Sequence, residues 1–243
     1  MPLSGFAQQR GPATLRIAAA ADLQPVLPAL LTQFEQQTHI HAEASFQSSA
    51  TLATQIIDGA PFDLFLAADL SFPQRVIAAG RAEETQPIPY ARGTLVLWTR
   101  SDSGIATLSI DTLRDPALKT IAIANPEHAP YGRAAQDALQ HLGLYDTLRP
   151  KLVIAENIAQ AAQYADSGNA QVGLISLTSA LTPRLRASGR FIRLPAHAYL
   201  PILQGAVVIR SSPGSAVAHR FLDFLAQPAV RQSLAAQGLE PAR

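Results

Sequence analysis

The sequence predicts an α/β protein built as two successive blocks, and three observations carry that reading. Short apolar runs alternate with longer amphipathic segments along most of the chain. The first run, residues 15–21, is apolar on both sides, as a strand of a parallel sheet covered by helices must be. A stretch holding Pro87, Pro89 and Gly93 separates one cycle of strands and helices from the next, and such residues punctuate chains.

The elements follow in order. Residues 15–21 (LRIAAAA) read as a short buried strand. Residues 25–37 read as a helix, because Leu27, Leu30, Leu31 and Phe34 recur at helical spacing while Gln33, Gln36 and Gln37 fall elsewhere. A strand at 40–46 leads to a helix at 48–59, whose mouth carries hydroxyl residues. A strand at 63–67 and a helix at 72–79, stopped by Gly80, complete the first block. Strand, helix, strand, helix, strand, helix is the order of a parallel sheet with right-handed crossovers.

After a strand at 94–99 (TLVLWT), the second block repeats the scheme. Strands are expected at 118–124, 152–155 and 172–175, with helices at 132–142 and 158–167, the latter closed by Gly168. A loop of Thr, Pro, Ser and Gly follows. Residues 206–209 (AVVI) form a strong strand run, and helices at 215–225 and 229–236 end the chain. Pattern alone leaves open whether these last helices pack on the second block or return to the first. The opening residues, MPLSGFAQQRGPA, are too short and polar for an intact secretion signal. Residues 1–12 read as a tail or the remnant of a processed leader.

Composition narrows the function. The 243 residues give room for one large domain or two modest ones with real cores. Hydrophobic residues make up 48% and charged ones 15%, which favours a folded chain. The net charge is +1 and the arginines are scattered, so nothing argues for nucleic acid. With no cysteine, thiolate metal sites, disulfides and cysteine nucleophiles are excluded. No run reaches the roughly 18 to 20 apolar residues that cross a bilayer.

Chemistry concentrates at strand-to-helix junctions, where an open α/β sheet binds ligands. Ala20, Ala21 and Asp22 follow the first strand; Asp22 is also a natural helix cap. Gln47, Ser48, Ser49, Ala50 and Thr51 place hydroxyls beside the free amides of a helix start, where they hold an anion or simply cap the helix. In the loop 125–132 (NPEHAPYG), Pro126 and Pro130 stiffen the backbone and fix Tyr131. Glu156, Asn157 and Ile158 form another junction, with Asn157 as the cap and Ile158 opening the helix. Ser176 follows the GLI strand, near Thr178 and Ser179. Such junctions occur in both blocks, so two lobes facing each other would enclose a donor-lined cleft. An enzyme is not expected. There is no Gly-rich dinucleotide turn, phosphate-loop lysine or Gly-x-Ser-x-Gly elbow. The six histidines show no zinc spacing, and no carboxylate pair stands out.

The segments IAAAADL (17–23), FQSSATLATQIIDGAPFDLFLAAD (46–69), NPEHAPYGRAAQDAL (125–139) and AEN (155–157), taken in order and spacing, resemble the periplasmic molybdate-binding proteins of ABC importers. The resemblance runs from about Leu15 onward. It implies a type II periplasmic-binding-protein fold: two parallel-sheet lobes joined by a crossover-strand hinge around a central cleft. One lobe would comprise 13–91 plus 204–243 and the other 92–203, so that the terminal helices return to the first. The implied ligand is molybdate or tungstate, held by neutral donors, with the metal bound only as its oxyanion and no cofactor. The implied setting is a periplasmic monomer that delivers its anion to a membrane permease.

The family's oxyanion contacts fall on Asp22, Ser49, Tyr131, Ile158 and Ser176, with Ala21, Ser48 and Asn157 in support. Two positions depart from the familiar pattern. Asp22 stands where a serine is usual, and an ionised carboxylate aimed at a dianion is repulsive. Its side chain is therefore expected to turn away while its amide donates, with the Tyr131 phenol supplying the lost donor; a proton shared between the carboxylate and the anion is the alternative. Ser176 stands where tyrosine is common and reaches less far. Such departures also fit a same-fold receptor for another small anion or an organic acid; an α/β enzyme on the same scaffold is the third reading. Sulfate and phosphate are smaller than molybdate. Near neutral pH phosphate also carries a proton, which a donor-only cavity leaves unpaired at a cost of about 1–3 kcal/mol.

Overall fold

A computed structural model describes residues 14–242. The first block runs β1 (Leu15–Ala20), α1 (Leu27–Thr38), β2 (Ala42–Gln47), α2 (Ser49–Ile57), β3 (Leu64–Ala67), α3 (Ser71–Ala78) and β4 (Ile88–Gly93). The second runs β5 (Leu95–Arg100), β6 (Ile121–Ala124), α4 (Pro130–His141), α5 (Tyr145–Leu148), β7 (Leu152–Ala155), α6 (Ile158–Ser167), β8 (Val172–Ser176), α7 (Leu177–Ala180), α8 (Pro183–Ser188) and β9 (Gly189–Arg193). The chain closes with β10 (Ile202–Val208), α9 (Ser215–Ala226), α10 (Pro228–Ala236) and β11 (Glu240–Pro241).

Two sheets result. One has the order β11-β4-β10-β3-β1-β2, the other β7-β6-β8-β5-β9. Each has a parallel centre, β2-β1-β3 or β7-β6-β8, extended by antiparallel strands, so the sheets are mixed where all-parallel ones were expected. Apart from the terminal β11, which pairs with β4, the antiparallel strands belong to the two passages between sheets. β4 leads into β5 through Thr94 alone, and the chain returns from β9 to β10. The sequence reading missed β4 and β9. Pro87 and Pro89 look like punctuation, yet the strand tolerates Pro89 at its start. The strand expected at 206–209 begins at Ile202, and its register shifts at a bulge between Gln204 and Gly205.

The terminal helices pack on the first sheet. Phe221 and Phe224 of α9 meet Phe34 of α1 edge-on, with ring centroids 5.0 and 5.5 Å away. Val230 and Leu234 of α10 join the same cluster as Leu15 and Ile17. A second cluster, with Leu52, Ile56, Phe72 and Val76, covers the other face of that sheet. β1 is thus buried on both faces, which is why it reads as an unbroken apolar run. The second sheet has its own core around Trp98, whose indole N–H donates to the Leu185 carbonyl at 3.2 Å. The tail at 1–12 and the first residue of the expected lobe at 13 lie outside the described residues.

Candidate functional site

The carboxyl ends of β1 and β2 meet the starts of α4 and α6 across the gap between the sheets. The wall there comprises Ala20, Ala21, Asp22, Gln47, Ser48, Ser49 and Ala68 from the first block, and Ala129, Pro130, Asn157 and Ile158 from the second. The cavity is small, about 10 Å³. That is close to the room one water needs. Among the described residues, no Lys, Arg or His side chain belongs to the wall. Larger hollows exist. A groove of about 540 Å³ lies between Gln24–Pro25 and α6–α8, and a hollow of about 610 Å³ lies under residues 103–118. Neither gathers helix starts from both blocks.

Local sequence explains each donor. Ser48 caps α2 in extended conformation, its Oγ accepting the Thr51 amide at 3.2 Å. Ser49 is the first residue of α2, so its amide has no partner within the helix. Its Oγ accepts from the Ala68 amide at 3.1 Å, which leaves its own O–H free to donate elsewhere. On the opposite side Asn157 caps α6, its Oδ1 accepting the Gln160 amide at 3.0 Å. Ile158, the first residue of α6, likewise presents an amide without a helical partner. The partial positive charge of both helix starts points toward the cavity wall they form.

The blocks are drawn together by direct bonds. The Ala50 amide donates to the His128 carbonyl at 3.1 Å. Thr178 Oγ1 donates to the Asp22 carbonyl at 2.7 Å. Arg133 of α4 forms an ion pair with Asp69, just beyond β3, and lies over the Phe72 ring, 5.5 Å from its centroid.

Asp22 is the unexpected part of the wall. It lies in a single 3-10 turn after β1 and is 0% exposed. Its Oδ2 accepts from the Tyr131 hydroxyl at 3.2 Å and from Gln204 Nε2 of β10. Its Oδ1 is buried with no partner. Burial pushes the carboxyl up to about 7, against the opposing pull of the Gln204 and Tyr131 hydrogen bonds. Burial, and then the neighbouring carboxylate, raise the Tyr131 phenol well above its ordinary value. Gly93 makes room for this cluster: a Cβ there would overlap the Tyr131 hydroxyl.

Of the residues singled out in the sequence, Ala21, Asp22, Ser48, Ser49, Asn157 and Ile158 share this one cavity. Two do not reach it. Tyr131 was expected in a stiff loop with a phenol free to donate. It lies instead inside α4, which starts two residues early because Pro130 suits the first helical position, and its hydroxyl is committed to Asp22. Ser176 caps α7: its Oγ accepts from the Ser179 amide at 3.3 Å and from Thr178 Oγ1 at 2.9 Å, away from the cavity wall. The Asp22 side chain does turn toward Tyr131 and Gln204, but not into an environment that leaves its proton affinity unchanged. Sequence reasoning missed Gln204 entirely. The available signal was a lone polar residue in the apolar strand ILQGAVV.

The chain matches the family model described as bacterial extracellular solute-binding protein over residues 15–240. It is 37% identical over 215 residues to the molybdate-binding protein ModA of Rhodobacter capsulatus, covering 87% of this chain and 82% of that protein. The structure of the Azotobacter vinelandii periplasmic molybdate-binding protein superposes with a TM-score of 0.88 at 32% identity, covering 94% of this chain and 100% of that one. The sulfate-binding protein SubI of Mycobacterium tuberculosis matches with a TM-score of 0.78 at 18% identity, covering 95% and 87%, which speaks for the fold alone.

Proposed function

The chain belongs to the bacterial extracellular solute-binding proteins, and from that premise we propose that it captures molybdate or tungstate between its lobes and delivers it to an ABC-importer permease. The architecture is a type II periplasmic-binding-protein fold with two mixed-sheet lobes. The chain passes from one lobe to the other near 91/92 and back near 203/204. The two passages between the sheets, at Thr94 and between β9 and β10, form the hinge. The protein works as a periplasmic monomer and performs no chemistry on its ligand.

One observation carries this reading: a cavity for a single small group whose wall holds helix starts from both lobes and no cationic side chain. A fully ionised tetrahedral oxyanion accepts hydrogen bonds at every oxygen, so amides and hydroxyls suffice to hold it. Each such bond to a charged group is worth about 1.5–3 kcal/mol. Closure excludes water and strengthens them all. The amides of Asp22, Ser49 and Ile158 and the Ser49 hydroxyl are the donors, with Ala21, Ser48 and Asn157 holding the backbone in place. Tyr131 contributes by holding the Asp22 carboxylate.

Isothermal titration with molybdate, tungstate, sulfate and phosphate tests the proposal. Submicromolar affinity confined to the first two is the expected result. Equal affinity for sulfate, or no binding of any of the four, would overturn it.

A further inference from the structure

We propose that the protein takes up its oxyanion together with one proton, carried by Asp22 as a neutral acid that donates from Oδ1 to the anion. The inference rests on the oxyanion reading above. It starts from geometry. Both side-chain donors that reach the Asp22 carboxyl, the Tyr131 hydroxyl and Gln204 Nε2, converge on Oδ2, and the residue's own backbone N–H adds a weaker pull. Oδ1 is left buried and unpartnered in a residue that forms part of the cavity wall. A carboxyl with one oxygen accepting two hydrogen bonds and the other bare is arranged to carry its proton on the bare oxygen. That O–H then requires an acceptor, and an oxyanion supplies one.

Charge leads to the same place. No cation compensates Asp22. The residues that face it are Tyr131 on α4, Tyr90 on β4, Gln204 on β10, and Thr178, whose hydroxyl takes the Asp22 carbonyl. All are neutral. Arg92 on β4 keeps a buried Nε without a protein partner, yet no cation is among the groups that act on the Asp22 carboxyl. Arg133, at the cleft, is paired with Asp69. An ionised Asp22 beside a dianion would place three negative charges in one closed cavity with nothing to balance them. Uptake of a proton from solvent removes one: the carboxylate and H⁺ become a carboxylic acid, a repulsive acceptor becomes a donor, and the closed complex gains two negative charges from the anion and one positive charge from the proton.

Gln204 and Tyr131 are the positioning residues. Gln204 sits at the bulge of β10, on a strand that returns from one sheet to the other, and is itself fully buried. Bulges commonly re-aim side chains beside binding sites. Tyr131 belongs to the second lobe, so its bond to Asp22 forms only when the lobes are together. Closure, proton and anion are thereby linked. Asp22 in the free closed protein titrates at about 7, and a bound dianion raises that further, so binding above neutrality must bring in a proton.

Titration calorimetry with molybdate at pH 8, run in two buffers of different ionisation heat, reads the proton count directly. The expected result is uptake of nearly one proton per anion, with the dissociation constant rising about tenfold per pH unit from pH 8 to pH 9 and flat below pH 6.5. In Asp22→Asn both the uptake and the slope vanish, and affinity at pH 9 exceeds that of the unaltered protein. In Gln204→Leu the break in the pH profile moves upward, because a bond that favours the ionised form is lost. Molybdate binding without proton uptake and without pH dependence overturns the inference and leaves the oxyanion reading standing. Tight phosphate binding at pH 8 with no proton uptake also overturns it, since Asp22 then accepts a proton that the ligand brings. Absence of binding by all four oxyanions at every pH removes the oxyanion reading and this inference together.

Discussion

The β2–α2 and β8–α7 junctions begin alike and end in different roles. Each runs from a strand into a helix capped by a serine: Ser48 takes the Thr51 amide after the edge strand β2, and Ser176 takes the Ser179 amide after the buried β8. At β2–α2, the residue after the cap is Ser49, which faces a cavity walled on its other side by the starts of α4 and α6. At β8–α7, the hydroxyls of Ser176, Thr178 and Ser179 close on one another, and Thr178 donates to the Asp22 carbonyl. Asp22 sits between the two, forming part of the cavity with the first junction and tied to the second through its backbone. Hydroxyls at a helix mouth are thus a capping signal. On the proposed oxyanion reading they become a binding signal only where a second lobe brings its own donors opposite them.

That contrast can be broken or sharpened by mutation. Ser49→Asp should have the largest effect, because it sets a carboxylate against the bound dianion. Two unit charges about 4 Å apart at an effective dielectric of about 20 repel by roughly 4 kcal/mol, on the order of a thousandfold in affinity. Titration that finds less than a tenfold loss would remove Ser49 from the site.

A comparable effect is expected on stability rather than binding. The folded Asp22 carboxyl titrates at about 7 against an ordinary 3.8. Because the folded value is raised, the native state holds this proton more tightly than the unfolded chain. The contribution is therefore full below about pH 4 and is lost as pH rises toward and through 7. At about 1.4 kcal/mol per unit it amounts to roughly 4 kcal/mol. Urea unfolding at pH 5 and pH 8 should show Asp22→Asn gaining on the unaltered protein at the higher pH; a constant difference between them would contradict the burial argument.

Ser49→Ala and Ser176→Ala compare the junctions directly. The first should weaken molybdate binding by about 1–3 kcal/mol through loss of one bond to a charged group. The second should cost about 0.5–2 kcal/mol of stability, as removal of a helix cap does, with affinity changed less than twofold. The opposite pattern in calorimetry and thermal melts would exchange their roles. Asp69→Ala should have the smallest effect. The Arg133 partner is half exposed, so loss of the ion pair should cost at most about 1 kcal/mol of affinity, and less at high salt. A larger, salt-independent loss would mean that the pair governs closure.

Much of this was legible in the sequence because buried strands and helix caps are local signals. β7 and α6 fall where periodicity, Asn157 and Gly168 place them, and the other regular elements lie within a few residues. β4 and β9 were hidden because each belongs to a passage between sheets, where the partner strand is far along the chain. α5, α7 and α8 were hidden because four to six residues are too few to show a period. At the cavity, Ser48, Ser49, Asn157 and Ile158 are legible as caps and helix starts by residue type and position. The Tyr131–Asp22–Gln204 cluster was not. Its members are separated by 109 and 182 positions, and nothing local tells a glutamine in an apolar strand what it will meet. Ser176 misled for the converse reason, since its local pattern matches that of Ser48.

The most direct test is a crystal grown with tungstate, whose anomalous scattering marks its position. A single peak within hydrogen-bond distance of the Asp22, Ser49 and Ile158 amides, with no cationic side chain in contact, is the predicted result. A peak held by arginine or lysine elsewhere, in a protein that calorimetry shows to be saturated, would contradict it.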